Sequence, residues 1–598
     1  MAHHDSHVPT GRYRQRQRAR ESPGRAGMTA PPRARARRRR QPVRTYARLT
    51  LESALLLLMA PAVCAELRPD AGDVARDTAP AQLLGMPAGG TTLPGTAGDQ
   101  GDGSVPQDAT PIPVRHVRVT GARLYPTAVL EALVADLNGG TRTLADLSRG
   151  AARITRFYRA QGWPLASAYL PAQSIRDGQV EIRVMEGTLS GVRIQADPQS
   201  RLRASVIDAH LAALEHDAPL NQAQVDRALL LLSDLAGASL NASLAAGARP
   251  GQTELVIGSR AAPLTSGRLE ADNYGSLYTG RTRIGGTLNV NSPTGHGEQI
   301  SARVLASDDH LYYGRLSVQM PLGSRGLSTG AGFTHTQYVL GSAFTQLDAR
   351  GQADIAEWNL TYPFVRSVAH NVFGQFSAEH RRISDQVGAA GTETGKRADH
   401  YSANLLYSGR DGVGAGADTQ AALRIGTGTL GIDSPTAARI DALGAQTAGR
   451  YSTLNLDLQR NQRLGGPWGL LLVLRGQAAS RNLDSYQKFV LGGANGVRAY
   501  PAGEAAGDEG WLASGELYYA ANPLCIPSVF YDAGGIGINR HPYLATANRR
   551  VLHGYGIGLR GSHRTFDWSA SLAFRGSEPA QAEPDRRTRL WVRLGWAF

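Results

Sequence analysis

The sequence predicts an all-β membrane domain, an antiparallel transmembrane barrel of about sixteen strands, preceded by two small α+β domains. Three observations carry this. Residues 263–598 alternate apolar and polar side chains with no clear helical interruption. Their polar faces repeatedly hold Arg, Asp, Asn and Gln, which suit a wet lumen better than a dry core between sheets. Residues 112–262 run twice through the same order of strand, two helices and two strands.

The first residues read as a leader. Net charge is +14 over 598 residues, but residues 1–50 hold fourteen Arg against Asp5 and Glu21, so nearly all the excess sits there. Arg37–Arg40 could grip phosphates. The run instead precedes an apolar stretch, and nothing downstream is basic in patches, which argues against a nucleic-acid partner. Ala54–Ala65 (ALLLLMAPAVCA) follows Arg44 and Arg48 and ends in small residues. That is the pattern of a signal peptide, too short for a spanning helix. We expect residues 1–65 to be this leader, with cleavage after Ala65 and a true start at Met28 or later. Val63 is larger than a lipoprotein site at Cys64 would prefer. The mature chain then keeps one thiol, Cys525, which excludes a disulfide-stapled scaffold and a cysteine zinc cluster. No later run of 18 apolar residues exists, which argues against a helical inner-membrane protein.

Residues 66–111 are rich in Gly, Pro, Ala, Asp and Thr and read as a flexible tether. Glu66–Leu84 could hold a short helix, though Pro69 and Pro80 count against one. In the first small domain, 112–187, strands are expected at Val114–Val119, Tyr169 and Val180–Val184, with helices at Ala128–Leu137 and Leu144–Gln161. In the second, 188–262, strands are expected at Val192–Ile194, Leu240–Ala245 and Thr253–Ile257, with helices at Arg201–Leu214 and Gln222–Leu235.

From 263 onward the alternation is explicit. Arg281, Arg283, Thr287, Asn289 and Asn291 share one face, against Thr282, Ile284, Leu288 and Val290. Tyr312, Leu316, Val318 and Met320 oppose Tyr313, Arg315, Ser317 and Gln319. Leu454, Leu456 and Leu458 oppose Thr453, Asn455, Asp457 and Gln459. The last segment sets Leu590, Val592, Leu594, Trp596 and Phe598 against Trp591, Arg593, Gly595 and Ala597. Each segment is about 9–11 residues, the reach of a tilted strand through a bilayer. A strand and turn of about 21 residues gives roughly sixteen strands. A soluble β-sandwich would also alternate, but the length of the stretch and its charged faces favour a barrel, whose closure removes edges that hydrocarbon cannot tolerate. A C-terminal aromatic such as Phe598 resembles the signal read by the barrel-assembly machinery.

Longer blocks are more specific. ITRFYRAQGWPLASAYLPAQSIRDGQVEIRVMEG (Ile154–Gly187) resembles the first POTRA domain of two-partner secretion transporters, the haemolysin secretion/activation family, within a superfamily of POTRA-bearing outer-membrane barrels. LNQAQVDRALLLLSDLAG (Leu220–Gly237) resembles the second POTRA domain, and ADNYGSLYTGRTRIGG (Ala271–Gly286) the entry to the barrel. The resemblance spans about residues 112–598, with the blocks in the family's order.

Val497-Arg498-Ala499-Tyr500 resembles the family's VRGY motif at the tip of the long sixth extracellular loop. Phe530-Tyr531-Asp532-Ala533-Gly534 resembles its F-x-D-x-G motif on a nearby strand. The resemblance implies that the loop folds back into the lumen and that Arg498 pairs with Asp532, with Val497, Tyr500, Phe530 and Gly534 completing the lock. A guanidinium fork fixes the position and orientation of a carboxylate. Gly492, Gly493, Gly496 and Gly503 allow tight turning around the motif. Ala499 stands where Gly is usual. If that site needs φ > 0, Ala costs about 1 kcal/mol. The family's plug helix has no obvious counterpart here.

Other motifs carry little. Gly556–Gly561 spells G-x-G-x-x-G, but Phe566–Phe574 alternates afterwards where a dinucleotide site needs a helix. His335 and His370 lack ligand spacing. Asp308-Asp309-His310 reads as a solvated turn, and no nucleophile triad stands out. The sequence therefore offers no catalytic residue, metal or cofactor. The resemblance implies a monomeric transporter in the outer membrane with POTRA domains in the periplasm. Its partners would be a large exoprotein (adhesin, haemolysin or toxin) with an N-terminal secretion domain, outer-membrane lipids, and the assembly machinery during biogenesis. The rivals are a barrel-assembly insertase, against which two POTRA domains count, and a passive porin, which lacks such domains.

Overall fold

The computed structural model describes residues 69–79, 110–214 and 216–598. The expected leader, residues 1–65, and most of the 66–111 tether lie outside the described residues.

Within the tether one helix forms, α1 (Ala71–Thr78). Pro69 and Pro80 flank it rather than interrupt it, which corrects the weight placed on them in the sequence. Asp70 is its N-cap: Oδ1 accepts from the Asp73 amide at 2.9 Å and the Asp73 side chain accepts from the Asp70 amide at 3.3 Å, a reciprocal capping box. Eight residues are too few to hold a helix in water. Ala71, Val74 and Ala75 instead pack with barrel residues Leu311, Tyr338 and Ile383.

In the first small domain β1 (His116–Thr120) lies parallel to β3 (Gln179–Met185), and β2 (Ser167–Tyr169) lies antiparallel to the other side of β3. Helices α2 (Thr127–Ala132) and α3 (Leu144–Ala160) complete it. Thr143 and Asp146 box the start of α3. Its buried side carries Leu147, Ala151, Ile154 and Tyr158 at helical spacing against Val117, Val119, Val180 and Ile182. The Tyr158 hydroxyl donates to Glu186 at 2.9 Å, and burial with that carboxylate pushes its pKa up. The second domain repeats the plan with β4 (Thr188–Ala196), α4 (Ala204–Leu211), α5 (Gln222–Ser233), β5 (Leu240–Ala246) and β6 (Gln252–Ser259), in sheet order β4-β6-β5. Its core centres on Ile207, Leu229, Leu232, Leu255 and Ile257.

The remaining strands close into one antiparallel barrel of sixteen: β7 (Thr265–Asp272), β8 (Arg283–Asn291), β9 (Gln299–Ser307), β10 (Leu311–Pro321), β11 (Ser328–Val339), β12 (Ala349–Arg366), β13 (His370–Val387), β14 (Thr392–Asp411), β15 (Ala417–Ile432), β16 (Gly449–Gly465), β17 (Trp468–Ala479), β18 (Glu509–Tyr519), β19 (Ile526–Gly537), β20 (Arg549–His563), β21 (Phe566–Arg575) and β22 (Thr588–Ala597). Closure pairs β22 with β7 over a short register, Arg593↔Asp272 to Ala597↔Arg268. The alternation sorts as expected: Ile284, Leu316, Leu454, Leu594 and Trp596 face outward and exposed. Arg283 pairs with Asp272, and Arg315 with Glu357, on the inner wall. Strands β12–β16 run well past the expected 9–11 residues, to 20 in β14. On their inner side these long strands supply Asp385 and Lys396, which with Tyr338 of β11 receive α1. Gly556–Gly561 lies inside β20, so no nucleotide turn exists there.

The second domain is tied to the rim of the barrel beside it. Arg366 at the end of β12 forks onto Asp234 at 2.9 and 2.7 Å, and Arg227 donates to the Pro363 carbonyl at 3.0 Å. Charge-assisted forks of this kind fix orientation as well as distance.

Candidate functional site

The longest connection in the barrel, residues 480–508 between β17 and β18, leaves the rim distal to the small domains and turns inward. Its base is a small antiparallel ladder, Phe489–Val490 with Ala506–Gly507. Its tip folds tightly: the Val497 amide donates to the Leu491 carbonyl at 2.7 Å, and the Tyr500 amide to the Val497 carbonyl at 3.0 Å.

The receiving wall follows from strand periodicity. Phe530, Asp532 and Gly534 are two residues apart on β19, so all three face the lumen, while Tyr531 between them faces outward. The structure brings Arg498 onto this face. Its Nε donates to Asp532 Oδ2 at 2.9 Å, Nη2 to Oδ1 at 2.8 Å, and its own backbone amide to Oδ2 at 3.1 Å. Nη1 reaches Glu516 on β18 at 2.7 Å, and the guanidinium carbon lies 3.3 Å from the centre of the Phe530 ring. Asp532 is fully buried and also accepts from Ser514 Oγ at 2.7 Å. Its carboxylate therefore has donors on both oxygens, as a buried charge requires.

Packing seats the rest of the motif. Val497 and Tyr500 are fully buried with Leu491, Leu512 and Leu552, and the Tyr500 hydroxyl donates to the Glu578 carbonyl at 2.7 Å. Glycines on the wall make room: a Cβ on Gly534 would stand 2.5 Å from Leu491 Cδ2, and one on Gly554 would stand 2.4 Å from the Ala499 Cβ. Ala499 does not adopt a positive φ, so the backbone strain considered for it does not arise. In this loop the left-handed residues are Gly493, Gly503 and Ala505. What restricts position 499 is the close approach of Gly554.

Two contacts of the loop were not legible in the motifs. Glu504 is fully buried, meets Arg550 of β20 at 2.7 Å, and accepts the amides of Gln581 and Ala582 at 2.9 and 2.8 Å. Trp591 of β22 donates its indole N–H to the Arg498 carbonyl at 2.7 Å. A buried carboxylate beside a buried arginine leaves no periodic trace in sequence. Trp591 did carry one signal, a tryptophan on the polar face of the last strand.

Below the loop and α1 lies a lumen cavity of about 670 Å³, lined by Glu379, Arg381, His400, Asn404, Arg424 and Gln477 among others. Its wall is polar and charged. Among the described residues no cluster of His, Cys, Asp and Glu could hold a metal, and Cys525 is a free, exposed thiol in the turn between β18 and β19.

Comparison with known proteins agrees with this architecture. Residues 251–561 match the family model of the haemolysin secretion/activation protein ShlB/FhaC/HecB, and residues 112–187 match the ShlB-type POTRA domain. The heme/hemopexin transporter protein HuxB of Haemophilus influenzae is 26% identical over 406 residues, covering 66% of this chain and 70% of that protein. The solved structure of CdiB from Escherichia coli superposes with a TM-score of 0.63 at 16% identity, covering 92% of this chain and 98% of that one. CdiB from Acinetobacter baumannii gives 0.58 at 16% identity, covering 86% and 95%. These structural likenesses show the fold. The chain belongs to the haemolysin secretion/activation family ShlB/FhaC/HecB, outer-membrane transporters of two-partner secretion with POTRA domains in the periplasm.

Proposed function

We propose that the POTRA pair captures an unfolded exoprotein through the N-terminal secretion domain of that partner, and that the partner threads the barrel lumen once loop 480–508 shifts. The observation that carries this reading is the loop itself, folded into the lumen and held on the wall by the Arg498–Asp532 fork. Residues Val497, Arg498, Tyr500, Phe530, Asp532 and Gly534 act as a lock between loop and lumen. A threading chain needs that lock to yield, and a lock whose ion pairs all converge on Arg498 yields as a unit.

Capture uses an edge strand of a POTRA sheet. Strand β2 is such an edge and exposes Tyr169, so an extended peptide can add its backbone there and rest a side chain on the ring. Polar and charged side chains such as Glu379, Arg381, Asn404 and Arg424 on the lumen wall limit how strongly a passing apolar segment adheres. Net movement draws on folding of the partner outside, which supplies about 5–15 kcal/mol per domain and disfavours return. The filled lumen weighs against a passive porin, and a single pair of POTRA domains weighs against an insertase. The chain acts as a monomer seated in outer-membrane lipids, placed there by the assembly machinery reading the strand that ends at Phe598.

The test is surface secretion of a large partner exoprotein with an N-terminal secretion domain, in cells with the wild-type chain, Arg498→Ala, or none. Cargo should disappear from the surface without the chain, and fall in Arg498→Ala at normal barrel levels. Unchanged secretion without the chain, with loss of other outer-membrane barrels, would establish the insertase instead.

A further inference from the structure

Helix α1 and the start of loop 480–508 meet inside the barrel, and one wall residue holds both. Lys396 of β14 donates to Asp70, the N-cap of α1, at 3.0 Å, and to Asp484 of the loop at 2.6 Å. The helix also binds the loop directly: Ser485 Oγ donates to Asp70, and Arg76 Nη1 donates to the Ser485 carbonyl at 2.6 Å. Their approach is close enough to require glycine. A Cβ on Gly72 would stand 2.2 Å from Ser485 Oγ and 2.9 Å from the Tyr486 amide nitrogen. On the wall side Asp385 accepts the Ala71 amide at 2.8 Å.

We propose that Lys396 is a positioning residue that joins helix α1 and loop 480–508 into one plug, so that the two leave the lumen together. The proposal rests on the reading of the lumen as a secretion path. Two carboxylates, one from each half of the plug, share a single ammonium in a partly buried setting. Without that ammonium the two carboxylates face each other with no cation between them, and each half loses the wall contact that it shares with the other. Gly72 sets the second condition, because any side chain there separates the helix from the loop backbone.

The experiment reads the position of each half separately. In full-length protein carrying Cys64→Ser and Cys525→Ser, one reporter is Ala75→Cys in the helix and the other Leu483→Cys in the loop, both buried at rest. Labelling by a water-soluble maleimide in outer-membrane vesicles reports exposure without any cargo. Lys396→Met should speed labelling of both reporters by about tenfold or more, and Lys396→Arg should keep both slow. Gly72→Ala, which leaves every charge in place, should also speed both. Faster labelling of one reporter alone, or of neither, in Lys396→Met with a normally folded barrel overturns the proposal. Because no cargo is involved, such a result leaves the secretion reading to its own test.

Discussion

Replacing Arg498 with alanine removes three bonds to carboxylates, the two of the Asp532 fork and one to Glu516, along with the contact over Phe530. Breaking a buried ion pair from one side costs about 3–5 kcal/mol, because the remaining charge is stranded. Asp532 keeps two donors, Ser514 Oγ and the backbone amide of residue 498. Glu516 keeps Arg560 at 2.9 Å. The cost therefore falls toward the lower end, about 3 kcal/mol, and at about 1.4 kcal/mol per decade the ratio of seated to unseated loop drops by about a hundredfold. Single-channel recording of the purified protein in planar bilayers should show a large rise in open time for Arg498→Ala. Arg498→Lys keeps the charge but not the fork and should lie between. An Arg498→Ala protein with a native barrel and unchanged open time would refute this reasoning. So would an Arg498→Lys protein as open as the alanine variant.

Other perturbations test neighbouring contacts. Gly554→Ala should unseat the loop tip by about 1–3 kcal/mol of overpacking, and Ala499→Gly in the same chain should restore it, read as open time. Glu504→Ala removes the nearest carboxylate of Arg550 and leaves two amides without their acceptor, so it should cost about 2–4 kcal/mol and expose the 576–587 connection to protease in intact cells. Arg366→Ala should loosen the second POTRA domain on the rim, where Arg227 still holds the Pro363 carbonyl, and speed proteolysis near residue 262 in spheroplasts. His210 is buried in that domain, and burial holds its pKa below the usual imidazole value, partly opposed by its bond to the Val206 carbonyl. Protonation then favours the unfolded state, so stability is full above about pH 6.5 and falls as pH drops through that value toward the lowered one. Protease resistance of the periplasmic region should decline from pH 7.5 to pH 5.5, and His210→Leu should flatten that decline.

The sequence by itself determined the barrel and the two small domains, because both rest on local periodicity. Period-two alternation states which side chains face lipid and which face the lumen before any partner strand is known. Helical spacing in Leu144–Gln161 and Gln222–Leu235 does the same for the POTRA cores. The spacing of Phe530, Asp532 and Gly534 likewise fixes one shared face. The resemblance to the family pointed to Arg498 as the partner of Asp532, and the structure places the two in contact. Tertiary structure alone decided the rest. The pairs Glu504–Arg550, Trp591–Arg498 and Asp70–Lys396–Asp484 join residues distant in sequence through barrel closure and loop insertion, which no periodic signal encodes. Position 499 looked like a demand on φ and proved to be a demand for space beside Gly554. Helix α1 is the sharpest case: eight residues between two prolines have little helical tendency of their own, and they fold because the lumen wall buries one side and supplies partners for the cap.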